Sequence, residues 1–323
     1  MTALDDAQPG LLTAVILTRN EAIHLARCLR ALDGLATRIV IVDSGSTDAT
    51  AAIAREHGAE VFERAWVNYA DQFQWALDNA GIGTDWIMRL DADEVVGPDL
   101  AANLKAAMGA ADPGTAAFSV DRRHIFMGRW IRHGGRYPLR LVRVWRRGCG
   151  RIEQRWMDEH IAISGGATLH VAGDLSDINL NDLTFFTAKH NAYATREALD
   201  ALIDVHGLFE TDRAEGVGAS HQAERRRIAK QGFYNRLPLG LGPLAFFLLR
   251  YIVQLGFLDG KPGLIYHGLQ GLWYRFLVDA KRHELERELS TCADNDARID
   301  RLSALTGHDL RAFAAATGQR VRR

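Results

Sequence analysis

Leu12-Thr13-Ala14-Val15-Ile16-Leu17 is an apolar run that stops abruptly at Thr18-Arg19-Asn20-Glu21 and gives way to the amphipathic stretch Ala22 to Leu32. A short β-branched run bounded by polar turn residues reads as a buried strand, and the 3.6-residue period after it reads as a helix packed on one face. The pattern then repeats. Arg38 to Val42 is a second strand, Ala49 to His57 a helix, Glu60 to Phe62 a third strand, Tyr69 to Asn79 a helix, and Trp86 to Leu90 a fourth strand. Strands alternating with helices demand crossover connections, so this order predicts an α/β fold of the doubly wound, Rossmann-like kind, with a mostly parallel sheet and helices on both faces.

Composition agrees. The chain has 323 residues, 47% hydrophobic and 24% charged, with 30 Gly and 7 Pro, which is globular and excludes disordered, collagen-like or rod-like classes. Its formal net charge of -1 carries no overall attraction for nucleic acid, and no nucleic-acid partner is expected. Three cysteines without a C-x-x-C spacing give neither a disulfide framework nor a thiolate zinc site, which fits a reducing cytosol. Residues 1–10 read as a flexible leader, since Asp5 and Asp6 stand where an export signal carries positive charge.

Polar clusters close three of the predicted strands: Thr18-Arg19-Asn20-Glu21, Asp43-Ser44-Gly45-Ser46-Thr47-Asp48 and Asp91-Ala92-Asp93-Glu94. Open α/β sheets hold ligands at the carboxyl ends of their strands. Taken singly, the first two clusters are good helix caps and turns. The third places three carboxylates within four residues at the edge of a core, an arrangement that mutual repulsion opposes unless a cation neutralises it. Mn²⁺ or Mg²⁺ is the expected cofactor, because both take oxygen ligands and leave room for a substrate diphosphate. A solvated acidic turn capping the helix near Pro98 is the plainer alternative.

Arg122 to Arg155 holds eleven arginines against one acid, Glu153, and many turn residues. Either the arginines pair with acids elsewhere or they meet an anionic partner such as ligand phosphates or lipid head groups. Beyond Asp182 the pattern is helical, with Phe185 to Leu202 amphipathic. Leu237 to Leu258 and Gly263 to Val278 are strongly apolar yet interrupted by Pro238, Pro243, Arg250 and Gln254. That reads as an interfacial helical pair or as a buried pair packed on the rest, not as a membrane span.

The segments 14–21, 43–48 and 90–94, with Phe126 to Gly135, Trp156 to His160 and Lys189 to Tyr193 following, resemble the family 2 glycosyltransferases of GT-A fold, and most of all the bacterial lipopolysaccharide-core and exopolysaccharide type. The resemblance covers roughly residues 11–280. It implies a metal-dependent, inverting transfer of a sugar from a UDP-sugar to a hydroxyl of a lipid-linked or lipopolysaccharide-type acceptor, at the cytoplasmic face of the cell membrane. It divides the chain into a nucleotide-sugar-binding half at 11–120, an acceptor half at 121–200 and a helical, membrane-associating region at 201–323.

Thr18, Asn20 and Glu21 would line the nucleotide pocket, Asp43 with Ser44 would meet the uracil or ribose, and Asp91 with Ala92 would hold the ribose or a metal-bound water. Asp93 would ligate the metal, with His190 as a further ligand or a diphosphate contact. Asp158 or Glu159 would be the general base. The two would face opposite ways in a strand, and Asp158 is favoured because it would share a face with Trp156. Gln72 would border the nucleotide, and Arg140 and Arg143 would reach donor phosphates or an anionic acceptor. Two other classes fit the pattern less well: a sugar nucleotidyltransferase, which needs a glycine-rich phosphate loop where Thr18 to Glu21 stands, and a non-catalytic membrane scaffold.

Overall fold

The computed structural model describes residues 12–153, 160–210, 239–317 and 319–322. They form two compact units. The first holds 12–132, 136–153 and 160–180; the second holds His133–Gly135 and the chain from Asn181 onward.

The first unit is built on β1 (Leu12–Thr18), α1 (Ala22–Arg30), β2 (Arg38–Asp43), α2 (Thr50–Glu56), β3 (Glu60–Glu63), α3 (Tyr69–Asn79) and β4 (Trp86–Asp91). These are the expected elements, with boundaries shifted by a residue or two. After them come β5 (Glu94–Val96), α4 (Pro98–Gly109), β6 (Thr115–Phe126), β7 (Arg129–Trp130), β8 (Leu139–Arg146), β9 (Gly150–Ile152), β10 (Ile161–Ile163) and β11 (Ala167–Ile178). The main sheet runs β3-β2-β1-β4-β8-β6-β11-β5, with β7 on β6, while β9 and β10 pair as a separate hairpin.

The sheet is less parallel than the sequence suggests. β3, β2, β1 and β4 pair parallel, but β8 enters antiparallel between β4 and β6, and β5 returns antiparallel on β11. Its strand β6 runs across residue 120, the junction expected between the two halves. Strand alternation sorts the core to two faces. Leu12, Ala14 and Ile16 meet Leu25, Leu29, Leu100 and Leu104 on one side, while Val15, Val40 and Val42 meet Phe73, Ala76 and Trp145 on the other. Helices therefore cover both faces, and the carboxyl ends of β1, β2 and β4 form one edge.

The second unit is helical: α5 (Leu183–His206), α6 (Leu241–Leu248), a π-helical turn (Leu249–Val253), a 3-10 turn (Gly256–Asp259), α7 (Gly260–Tyr266), a second π-helical stretch (His267–Trp273), α8 (Tyr274–Leu289), α9 (Asn295–Thr306) and α10 (Leu310–Thr317). The strands β12 (Phe209–Glu210) and β13 (Arg320–Val321) pair antiparallel. Asp182 caps α5 by accepting from the Phe185 amide at 2.8 Å, and Gly207, left-handed, ends it. Leu199, Leu202, Leu285, Leu289, Ile299 and Leu302 make its core.

Candidate active site

The first two polar clusters knit into one rigid loop edge in the first unit. Asp43, at the end of β2, is buried and takes four donors: the Thr18 hydroxyl at 2.7 Å, the Ser46 hydroxyl at 2.6 Å, and the amides of Ser46 and Gly45 at 2.7 and 3.1 Å. A carboxylate so engaged braces the turn. Asn20 is left-handed, with φ 56, a conformation asparagine tolerates better than most residues, and its carbonyl oxygen accepts from the Thr47 amide at 2.8 Å while its own amide donates to the Ser46 hydroxyl. Ser44 accepts from Gln72 Nε2 at 3.1 Å. Gln72 is wholly buried and also bonds Arg64, so it latches α3 to the loop from inside.

Glu21 opens a relay that the sequence does not announce. Its carboxylate lies 2.6 Å from His24 Nδ1, and His24 Nε2 accepts the Leu180 amide at 2.9 Å. An amide can donate only to an unprotonated ring nitrogen, so the neutral tautomer carries its proton on Nδ1 and donates it to Glu21. This ties the end of β11 to the first turn of α1.

The acidic quartet follows β4. Asp91 Oδ1 accepts the Tyr69 hydroxyl at 2.9 Å, and its Oδ2 lies 3.4 Å from Arg143. Arg143 meets buried Glu94 at 2.5 Å, and Arg122 lies 3.8 Å from the same carboxylate. Arg122 also binds Asp177 at 2.6 Å, where His124 Nδ1 adds a contact at 2.9 Å. The Arg89 guanidinium covers the Tyr69 ring at 4.3 Å. Burial opposes charge on Asp91, but the neighbouring guanidiniums of Arg143 and Arg89 outweigh it and hold the carboxyl well below its usual range. Burial, helped by the Asp91 charge, pushes Glu94 the other way against the pull of Arg143. Under the turn sits Cys28, its thiol pushed far up by burial and by the three acids above it.

Two expectations change. Carboxylate repulsion here is relieved by arginines within the fold, so repulsion alone does not require a metal. Arg143 is one of those arginines, 3% exposed, and its charge is committed to Asp91 and Glu94 instead of donor phosphates. Asp93 turns elsewhere: its Oδ2 accepts from Asn179 Nδ2 at 3.0 Å, and Arg27 reaches its backbone carbonyl at 3.5 Å. Ala92 is buried. Arg140 is largely exposed, with Nε 3.4 Å from Asp121.

Among the described residues no three metal-ligating side chains converge. Asp91 and Asp93 are both partly accessible oxygen donors of the kind a hard cation takes, but Asp91 is engaged by Tyr69 and Arg143 and Asp93 by Asn179, so as they stand they form no closed cage. His190 lies on α5 of the second unit, with Nδ1 2.8 Å from the Phe186 carbonyl and its ring against Phe186, Tyr193 and Tyr274. Asp158 and Glu159, in the connection between β9 and β10, lie outside the described residues, as does Trp156.

Comparison with known proteins places this geometry. The model of glycosyl transferase family 2 matches residues 13–170. The lipopolysaccharide core biosynthesis glycosyltransferase LpsC of Rhizobium meliloti is 31% identical over 193 residues, 58% of this chain and 70% of that protein. The chain belongs to glycosyltransferase family 2. This family 2 chain is also 37% identical over 89 residues to an uncharacterized glycosyltransferase of Rickettsia felis, a stretch that spans only 31% of that relative's length and 28% of its own. Among solved structures, glucosyl-3-phosphoglycerate synthase from Mycobacterium tuberculosis, crystallised with phosphoglyceric acid, superposes over 64% of this chain and 85% of that one, at 15% identity and a TM-score of 0.41. The same enzyme has been crystallised with Mn²⁺ and UDP and with Mg²⁺ and UDP.

The features missed by sequence reading are Tyr69, Arg89, His24, Asp177 and His124. One signal was available for Arg143: it stands within the apolar run Leu141 to Trp145 of β8, and a guanidinium among apolar neighbours must find a carboxylate.

Proposed function

We propose that this chain transfers a sugar from a UDP-sugar to a hydroxyl of a lipopolysaccharide-type or other lipid-carried saccharide, with inversion at the anomeric carbon and with Mn²⁺ or Mg²⁺ bound. The observation that carries the reading is the pair of partly accessible carboxylates Asp91 and Asp93 at the end of β4, on the same sheet edge as the braced loops of β1 and β2. Membership of family 2 and the likeness to LpsC support the saccharide acceptor.

In this reading Asp91 and Asp93 would hold the cation, which would supply positive charge against the negative charge of the departing diphosphate. Thr18, Asn20 and Glu21 shape the floor for the nucleoside, kept in place by Asp43, Ser46 and the His24 relay. Arg140, exposed at the start of β8 and 3.4 Å from Asp121, would give up that contact to meet an anionic portion of donor or acceptor. Asp158 or Glu159 takes the proton of the acceptor hydroxyl as its oxygen bonds to the anomeric carbon and the bond from that carbon to the diphosphate oxygen breaks. Site and catalysis are thus assigned to different residues, which makes them separable. Asp93→Ala is expected to abolish the Mn²⁺-dependent rise in melting temperature given by UDP. Asp158→Asn or Glu159→Gln, whichever removes the base, keeps that rise and loses about 10²–10⁴-fold in turnover. Undiminished transfer by Asp93→Ala would refute the cation assignment.

A further inference from the structure

The second unit exposes apolar side chains in a way the transfer reaction does not explain. Of 22 large hydrophobic residues exposed among the described residues, twelve fall between Leu239 and Phe276. They crowd at a sharp bend. No single described helix is long and apolar enough to cross a membrane, but Leu241–Val253 and Gly256–Leu289 together are, and a turn of 71° at their junction separates them. The first arm is only eight residues of α6 continued by five of π-helix, roughly 20 Å at ~1.5 Å per residue, against the ~30 Å of a hydrocarbon core.

The polar groups of the bend point inward. Asp259, 2% exposed, accepts both the His133 amide at 2.9 Å and His133 Nδ1 at 2.7 Å. The Gln254 carbonyl accepts the Gly134 amide at 2.9 Å, and Arg250 Nε donates to the Gly134 carbonyl at 2.5 Å. Gly134 has φ +68, and a Cβ there would come within 2.2 Å of His267, so only glycine lets this strip enter the bend. With these groups turned in, the tip exposes Ile252, Val253, Leu255, Phe257 and Leu258 around Gln254, and Val253 is 70% exposed.

Leu255 supplies a second, independent sign. It adopts the left-handed conformation, φ 61 and ψ 28, which costs a leucine free energy that a glycine would not lose. Its side chain is nonetheless 45% exposed, so within the chain it gains little in return. A strained, exposed leucine at the apex is accounted for when the apex has an apolar environment to enter. Charge bears on that environment: between Leu239 and Phe276 the one acid, Asp259, is buried, Arg250 bonds the Gly134 carbonyl and Arg275 pairs with Glu197 at 2.5 Å, so the exposed charge beside the bend is the cation Lys261.

We propose that this bend is a re-entrant wedge that inserts Ile252, Val253, Leu255, Phe257 and Leu258 into one leaflet of a bilayer bearing anionic head groups. It refines the reading of a lipid-carried acceptor by stating how the chain meets the lipid, and it is independent of the donor chemistry. Insertion to ~5–10 Å buries the apex while Lys261 stays at head-group level.

The test uses the full chain with vesicles of phosphatidylethanolamine and phosphatidylglycerol, against vesicles of phosphatidylcholine alone. The protein floats with the anionic vesicles and several-fold less with the neutral ones. The double variant Val253→Glu, Leu258→Glu loses roughly tenfold or more of vesicle binding, with its UDP and Mn²⁺ thermal shift unchanged. Leu255→Gly separates the two signs of the same residue, melting at a higher temperature yet floating more weakly. In Val253→Cys, an impermeant maleimide trapped inside the vesicles leaves position 253 unlabelled. Equal binding by the double variant or by Leu255→Gly overturns the wedge. So does labelling from the lumen, which means a crossing helix, or a concentration-dependent dimer that the double variant dissolves while wild type ignores vesicles. Turnover on a detergent-dispersed acceptor reads the transferase assignment alone, so the two readings fail separately.

Discussion

Arg143 shows how much can rest on one guanidinium. It is the nearest cation to Glu94 and a close one to Asp91 from a position almost closed to water, so truncating it leaves Glu94 with Arg122 at 3.8 Å and Asp91 with the Tyr69 hydroxyl and the charge of Arg89. Arg143→Met is expected to lose about 3–5 kcal/mol in urea unfolding, and Arg143→Lys to recover only part of that, since one ammonium cannot reproduce the planar fork. Asp177 makes a pH-dependent case. Burial raises its affinity for a proton, but the His124 hydrogen bond and the Arg122 charge overcome this and lower its pKa from the ordinary 3.8. An acid depressed in the fold contributes stability that is complete above its unfolded pKa and is lost as the pH falls through the folded one. Asp177→Asn should therefore cost about 2–3 kcal/mol at neutral pH, with the difference from wild type closing below about pH 3 in acid titrations followed by circular dichroism.

At the scale of elements, the β11 strand carries the demands. Its register on β6 slips between His170 and Asp174, and within that slip Gly173 has φ +114 with Leu100 of α4 pressed against it. A Cβ there would lie 2.7 Å from the Leu100 backbone, which no side-chain rotation relieves. Gly173→Ala is expected to cost about 2–3 kcal/mol, measured as a fall in melting temperature, and to disturb β5, whose Glu94 faces Asp177 across β11. The first four strands and three helices were legible because each is short, apolar and punctuated by polar turn residues. The rest of the sheet was not. β8 inserts antiparallel between β6, which ends shortly before it, and β4, which is separated from it by a long stretch of chain, and nothing in the alternation of Leu139 to Arg146 names that second neighbour. The candidate site was legible as three clusters on one sheet edge. Its internal wiring was hidden, because the arginines that serve as counter-charges read equally well as solvated ones.

For the whole molecule, charge balance and exposed apolar surface act together. With a formal net charge of -1 and an isoelectric point near 6.9, little repulsion keeps copies apart at neutral pH. Solubility is expected to pass through a minimum near pH 7 and to recover toward either side, or on addition of a mild detergent, with turbidity as the readout. The location of the chemistry adds a second consequence. Cys28 is sealed beneath the acidic turn, its sulfur 3.7 Å from the Asp91 carbonyl, while Cys149 and Cys292 are partly accessible. A thiol so placed is silent toward alkylating reagents until the sheet edge parts. Its slow modification is therefore a built-in clock for the opening of that edge, and ligands that grip the turn should make the clock run slower.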